Sequence, residues 1–229
     1  MTQPPPPVPA DLGAPTALLL VRHGRTALTE QQRFSGGGGA DPGLSDAGRR
    51  DAERVAAFLA VPGAWPDVGP VAHVVCSPLA RARETAAIVG ARLGRPPRPD
   101  AAWAEIRFGA WDGYTPAEVA ERWPAELRAW QGSTTVAPPG GESPADLVVR
   151  VRAARARLVG AHPGETLVVV THLAPVRAVV QEALDAGPAA LWRTRIEPCS
   201  VTAVRYWRDG GVEVLAVNHG APGPRGDYP

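Results

Sequence analysis

The sequence contains no lysine: all 24 of its basic residues are arginine. That absence excludes Schiff-base catalysis and Walker-type phosphate loops, both of which need a lysine amine. Any anion site must be built from guanidinium groups, whose planar fork suits phosphate and carboxylate. Cysteine is nearly as scarce. Cys76 and Cys199 are the only two, each in an apolar run, so the chain is no disulfide scaffold and both read as reduced core thiols of a cytoplasmic protein. Excess charge is missing too. The 24 basic residues face 23 acidic ones, a net charge of +1, which lacks the basic footprint of nucleic-acid binding. No apolar stretch approaches the roughly 20 residues of a membrane span. No HExxH, His-x-His or Cys–His cluster appears, so no metal is expected.

What is present fits a globular protein. Of 229 residues, 45% are hydrophobic and 21% charged, enough for a sizeable core. Residues 1–16 carry four consecutive prolines and lack a signal-peptide pattern, so they read as an extended, solvated tail. Residues 220–229 read as a second loose end. Residues 17–219 read as one domain, because apolar segments continue on both sides of every Pro/Gly stretch, the loop at 35–43 included.

Within that domain, strands are expected at Ala17–Val21, Val71–Cys76 and Leu167–Thr171, each a short apolar run. Helices are expected from Ser45 to Ala60, Pro78 to Leu93, from Thr115, from Ser143 to about Gly160, and from about Ala174 to Ala186. Ser45 reads as an N-cap, and Thr115 with Glu118 as a capping box. Val201–Trp207 and Val212–Val217 read as a hairpin. The alternation predicts an α/β three-layer sandwich: a mostly parallel central sheet, helices on both faces, and an antiparallel edge strand.

In such sheets ligands bind at the carboxyl ends of the strands. Three expected strand ends carry polar groups: Arg22-His23-Gly24-Arg25-Thr26, Ser77 through Arg81, and Thr171-His172-Leu173. A histidine among guanidiniums is held neutral by like-charge repulsion, as a nucleophile requires. Arg22 and Arg81 would hold phosphoryl oxygens, and His172, if protonated, would add a donor. His73, His162 and His219 read as structural or solvent-exposed.

The segments LLLVRHGRT, GLSDAGRRDAE, CSPLARARETA, AEIRFGAWDG, PGGES and VVVTHLAPVR occur in that order. Together they resemble the signature blocks of the histidine phosphatase superfamily, the phosphoglycerate mutase-like proteins, over about residues 17–217. The resemblance implies that His23 is a phosphorylated nucleophile and that Arg22, Arg81 and His172 bind the phosphoryl group. It implies that Glu105 is the proton donor, with Asp112 second, and that no metal and no organic cofactor is needed. Glu84 reads as the partner of an arginine or a cap. Thr29 stands where mutases carry asparagine, and Leu173 where many members carry glycine. Both are candidate substrate contacts, as are Ser35 and Gly36 of the flexible loop.

The segment from Glu105 to Gly141 is short and lacks a mutase-like arginine pair, so the resemblance favours a phosphatase acting on a small phosphorylated metabolite. A mutase, or a module that only binds phosphate or phosphopeptide, stays open. Two branches look similar: the alpha-ribazole phosphatase-like group, and the acid phosphatase half of actinobacterial ribonuclease H/acid phosphatase proteins. Ribonuclease activity is disfavoured, because no four-acid metal constellation is evident. Trp123, Trp130 and Trp192 could fill the core, line the substrate mouth or pack a homodimer, core packing being favoured.

Overall fold

A computed structural model of the chain describes residues 13–65 and 67–220; of the tails read at 1–16 and 220–229, residues 1–12 and 221–229 lie outside the described residues, while Thr16 is not tail but the buried first residue of a strand. The central sheet has six strands: β1 (Thr16–Arg22), β2 (Val71–Cys76), β3 (Pro97–Pro99), β4 (Thr166–Thr171), β5 (Val201–Tyr206) and β6 (Val212–His219). Their spatial order is β3-β2-β4-β1-β5-β6. The first four are mutually parallel, while β5 is antiparallel to both β1 and β6. The antiparallel part of the sheet is therefore the C-terminal hairpin, with β6 as its outer strand.

Strand alternation sorts the core into two layers. Leu18, Leu20, Leu167 and Val169 point to one face, against Leu147, Val151 and Ala154 of α6 (Pro144–Ala161) and Val176, Val179 and Val180 of α7 (Leu173–Ala183). Leu19, Val21, Val168 and Val170 point to the other, against Ala52, Val55 and Ala56 of α2 (Asp46–Leu59) and Ala82, Ala86 and Val89 of α3 (Ala80–Leu93). Burial on both faces explains why these strands read as continuous apolar runs.

The helix punctuation behaves as expected. Ser45 Oγ accepts the Gly48 N–H to cap α2, and Thr115 and Glu118 form a reciprocal capping box on α4 (Pro116–Arg122). Gly94 ends α3 in the left-handed region, φ 66°. α3 starts two residues after Pro78, because the Ser77 hydroxyl first accepts the Leu79 N–H in a turn. The elements not read are β3, whose two prolines suit an outer strand, the short helices α1 (Ala27–Glu30) and α5 (Pro124–Gln131), and three 3-10 turns at Ala101–Trp103, Gly109–Trp111 and Pro188–Trp192. α4 and α5 enclose a satellite core of Trp111, Val119 and Trp130 beside the sheet's carboxyl ends.

Candidate active site

Parallel register alone brings the two histidines together. Arg22 on β1 is level with Thr171 on β4, and the His23 N–H donates to the Thr171 carbonyl at 2.9 Å. The next residues, His23 and His172, therefore leave neighbouring strands side by side, with ring centroids 5.0 Å apart. Both are buried.

The hydrogen bonds of His23 fix its tautomer. Nδ1 lies 2.7 Å from the Gly24 carbonyl, which can only accept, so Nδ1 carries the proton. The lone pair is left on Nε2, where the Arg81 Nε–H points at 3.3 Å. Burial first, then the Arg81 and Arg22 charges, hold the His23 pKa well below the ordinary imidazole value. The same causes, with the neighbouring His23, depress His172. That shift favours the neutral form of His172, so its role as a charged donor requires an anion beside it. Its Nε2 meets Ser77 Oγ at 2.7 Å, and its Nδ1 is buried without a hydrogen-bond partner.

Arg81 is held from behind. Its Nη2 donates to the Ser35 carbonyl at 2.9 Å, and Nη1 lies 3.5 Å from Asp41 Oδ1. Thr85 ties the assembly together, accepting the Gly24 N–H at 3.0 Å and donating to the Arg81 carbonyl at 2.8 Å. Arg22 Nη1 donates to the Ile196 carbonyl at 2.6 Å. Arg22 Nε and Arg81 Nη1 are buried donors without a hydrogen-bond partner. Buried polar groups without partners are costly, and here the charged ones are cationic around one imidazole.

Glu105 sits on the other wall at the start of α7. Its carboxylate accepts the backbone N–H groups of Ile106 (3.0 Å), Leu173 (3.2 Å) and Ala174 (3.2 Å). Burial nevertheless lifts its pKa above the usual carboxylate range, against the pull of Ile106, Arg81, Arg22 and Ala174. Asp112 lies behind the cleft wall: its Oδ1 accepts the Gly36 N–H at 2.6 Å, and its Oδ2 is buried without a hydrogen-bond partner. Glu84 pairs with Arg49 at 2.9 Å.

These groups open into a cleft of about 700 Å³. Arg22, His23, Glu105, Thr29, Ser35 and Leu173 line it. Arg81 and His172 stand immediately behind His23, and Gly36 is packed under the Ile106–Phe108 backbone, with its N–H committed to Asp112. The Thr29 hydroxyl bonds that of Thr26 at 3.1 Å, and the Leu173 N–H is taken by Glu105. The glycine after His23 proves to serve packing: a Cβ on Gly24 would lie 2.5 Å from the Gly48 carbonyl of α2. Trp130 and Trp192 line the outer cleft with ring centroids 4.5 Å apart, while Trp123 packs in the satellite core.

Sequence reasoning missed Arg177 and Arg195 on the cleft wall. Arg177 follows the second histidine by five residues, and its helical phase toward the strand ends was the available signal. The one trio of potential metal ligands among the described residues, His73, His162 and Glu165, lies at the opposite end of the sheet.

The "Bifunctional protein Rv2228c" of Mycobacterium tuberculosis is 41% identical over 206 residues, 90% of this chain and 54% of that protein, so the chain spans about half of its relative's length. The structure of mycobacterial glucosyl-3-phosphoglycerate phosphatase in complex with VO3 matches with a TM-score of 0.78 and 28% identity, covering 89% of this chain and 99% of that one. A putative alpha-ribazole-5'-P phosphatase from Escherichia coli shares the fold, with a TM-score of 0.77 and 23% identity over 92% of this chain and 99% of that one. The family model described as histidine phosphatase superfamily (branch 1) matches residues 18–219. The chain belongs to the histidine phosphatase superfamily.

Proposed function

We propose that this protein hydrolyses phosphomonoesters of small metabolites through a phosphohistidine on His23, without a metal ion or organic cofactor. The observation that carries the reading is the His23 hydrogen-bond set: Nδ1 pinned to the Gly24 carbonyl, Nε2 bearing the lone pair among arginine donors. That a structural neighbour is a phosphatase solved in complex with VO3 is in keeping with this reading.

In the first step Nε2 attacks phosphorus in line. The N–P bond forms as the P–O ester bond breaks, and protonated Glu105 gives its proton to the leaving oxygen. Arg22, Arg81 and the N–H of His172 hold the equatorial oxygens. In the second step water attacks phosphorus, Glu105 takes its proton, and the N–P bond breaks to release phosphate. Stacking on Trp130 and Trp192 holds the leaving group in the outer cleft, with Thr29, Ser35 and Leu173 along its path. Among the described residues no helix is long and apolar enough to cross a membrane. Cys76 and Cys199 are both free thiols, in keeping with a reducing, cytoplasmic setting.

The test is hydrolysis of p-nitrophenyl phosphate in EDTA by the wild type and His23→Ala, with trapping of an acid-labile, base-stable phosphoenzyme. Activity that survives EDTA and disappears with the phosphoenzyme in the variant supports the reading. A phosphoenzyme discharged only to a second phosphorylated metabolite would indicate a mutase. Phosphate binding without turnover would indicate a binding module.

A further inference from the structure

The end of the sheet opposite the cleft holds His73, His162 and Glu165. About 20 Å of β4 and its flanks separates Glu165 from His172, so the two sites are independent. The Glu165 Oε2 lies 3.2 Å from His73 Nε2 and 2.8 Å from His162 Nδ1, and the two imidazole centroids are 4.3 Å apart. We propose that these three side chains form a zinc-class divalent cation site that staples β2, the end of α6 and the start of β4.

Two independent features of the backbone aim the ligands at one point. The first is a β-bulge. β2 pairs with β4 through Val71↔Thr166 and then His73↔Leu167, so one extra residue is inserted at Ala72. Without it, Val71 and His73 would share a face, and Val71 packs against the α2/α3 layer. The bulge turns His73 to the α6/α7 side, where His162 ends α6.

The second is the turn His162-Pro163-Gly164-Glu165. Its closing bond runs from the Glu165 N–H to the His162 carbonyl at 3.2 Å, and Gly164 has φ 77°. Proline followed by a glycine of positive φ is the type II pattern, which brings its first and last residues together. The turn is anchored from outside: Thr16 Oγ1 donates to the His162 carbonyl at 2.9 Å and accepts the Gly164 N–H at 3.1 Å. His162 and Glu165 are thereby held on a rigid loop facing His73.

The donor set selects the ion. Two imidazoles and one carboxylate suit zinc and its neighbours in the transition series, whereas calcium and magnesium prefer oxygen alone. Tetrahedral zinc with bonds of about 2.0–2.1 Å needs ligand atoms about 3.3 Å apart. The His73–Glu165 separation of 3.2 Å already lies near that value, His162–Glu165 is shorter at 2.8 Å, and all three ligand atoms lie within 4.8 Å of one another. The three side chains are partly exposed, with fractional accessibilities of 31%, 24% and 44%, so a cation can enter and water can complete the coordination. In the free protein His73 Nε2 and His162 Nδ1 both meet Glu165 Oε2; to ligate a cation each ring presents that nitrogen as a lone pair and carries its proton on the other ring nitrogen. The bound ion would clamp three elements, so its effect is on stability and leaves the chemistry of the cleft untouched.

The experiment is calorimetric titration of Zn²⁺ into the untagged, chelator-stripped full chain, with thermal unfolding followed in parallel. The expected result is saturable one-to-one binding and a rise in melting temperature. Glu165→Gln, an isosteric change at an exposed position, should weaken binding at least tenfold, as should His73→Ala; His23→Ala should bind zinc like the wild type. Co²⁺ loading should give visible absorption bands that Glu165→Gln diminishes. Absence of binding, or binding that persists in both His73→Ala and Glu165→Gln, overturns the proposal. Loss of binding in His23→Ala alone would place the metal in the cleft and overturn it equally.

Discussion

Replacing Glu105 by glutamine removes one titratable proton and little volume, so the effect should follow the leaving group. An alkyl alcohol leaves poorly as an alkoxide and needs a proton in the transition state. p-Nitrophenolate is stable as an anion and does not. General acid catalysis by a placed side chain contributes about 10²–10⁴-fold, or ~3–5 kcal/mol. The structure favours the upper half of that range: the carboxyl is buried and its pKa raised, so it carries its proton closer to neutrality, while two α7 N–H groups and that of Ile106 fix its orientation. Glu105→Gln should therefore lower kcat/KM for a simple alkyl phosphate by about 10³-fold. For p-nitrophenyl phosphate the loss in phosphoenzyme formation should be under about tenfold. Single-turnover quench-flow separates that step from hydrolysis of the phosphoenzyme, which should slow for both substrates because Glu105 also serves as base. The wild-type alkyl phosphate profile should fall at high pH as Glu105 loses its proton, and the variant should lack that limb. Equal losses on the two substrates in the first step would refute the acid role and return attention to Asp112.

Other perturbations probe other parts of the site. Arg81→Ala removes a charged donor to the transferring group and should cost ~2–4 kcal/mol in kcat/KM; a loss below tenfold would remove Arg81 from the transition state. Gly24→Ala places a Cβ 2.5 Å from the Gly48 carbonyl, so the loop carrying His23 must move; kcat should fall about 10²-fold with the fold intact by circular dichroism. His23 and His172 both titrate well below the ordinary imidazole value. Between their folded and unfolded pKa values the unfolded chain binds more protons, so stability falls as pH drops below about 6.5. The raised carboxyl of Glu105 acts in the opposite sense, losing stability as pH rises, but it is one group against two. Melting temperature should therefore decline from about pH 7 to pH 5, and tungstate, a dianion that favours the imidazolium forms, should flatten the slope; a flat profile without the oxyanion would contradict the buried neutral histidines.

Much of this architecture was legible because its signals are local. Apolar runs marked β1, β2 and β4, and Ser45, Thr115 and Gly94 marked helix ends through backbone bonds within a few residues. Register then placed Arg22, His23 and His172 together without further information, since parallel strands of similar length end at the same edge. The missed elements depend on distant contacts. β3 is Pro-Arg-Pro, a sequence that reads as loop, and it is a strand only because β2 offers an outer edge. Arg177 reaches the cleft because its Nε is drawn to the Thr194 carbonyl, 17 residues away. The His73–His162–Glu165 cluster escaped spacing rules altogether, since a bulge and a turn on separate elements assemble it.

On the proposed reaction, the charge arrangement of the cleft predicts a preference for phosphomonoester dianions. Desolvation lowers the pKa of Arg22, Arg81 and Arg177, with Glu105 the leading opposing charge on all three and Glu197 and Asp41 assisting. The cleft is lined by five arginines (Arg22, Arg25, Arg33, Arg177 and Arg195) against three glutamates (Glu30, Glu105 and Glu197), so it is electropositive, and protonating Glu105 makes it more so. Neutral histidines add no charge of their own but stand ready to accept one. In the proposed reaction a phosphoryl dianion would satisfy the arginines, favour the imidazolium form of His172 and, through its negative charge, raise the affinity of Glu105 for the proton that the proposal has it donate. A monoanionic phosphodiester supplies half that charge and carries a second substituent where Arg22, Arg81 and His172 close around the equatorial oxygens. Discrimination against diesters should then appear in both binding and turnover, and it should survive removal of Trp192, an uncharged residue of the cleft lining.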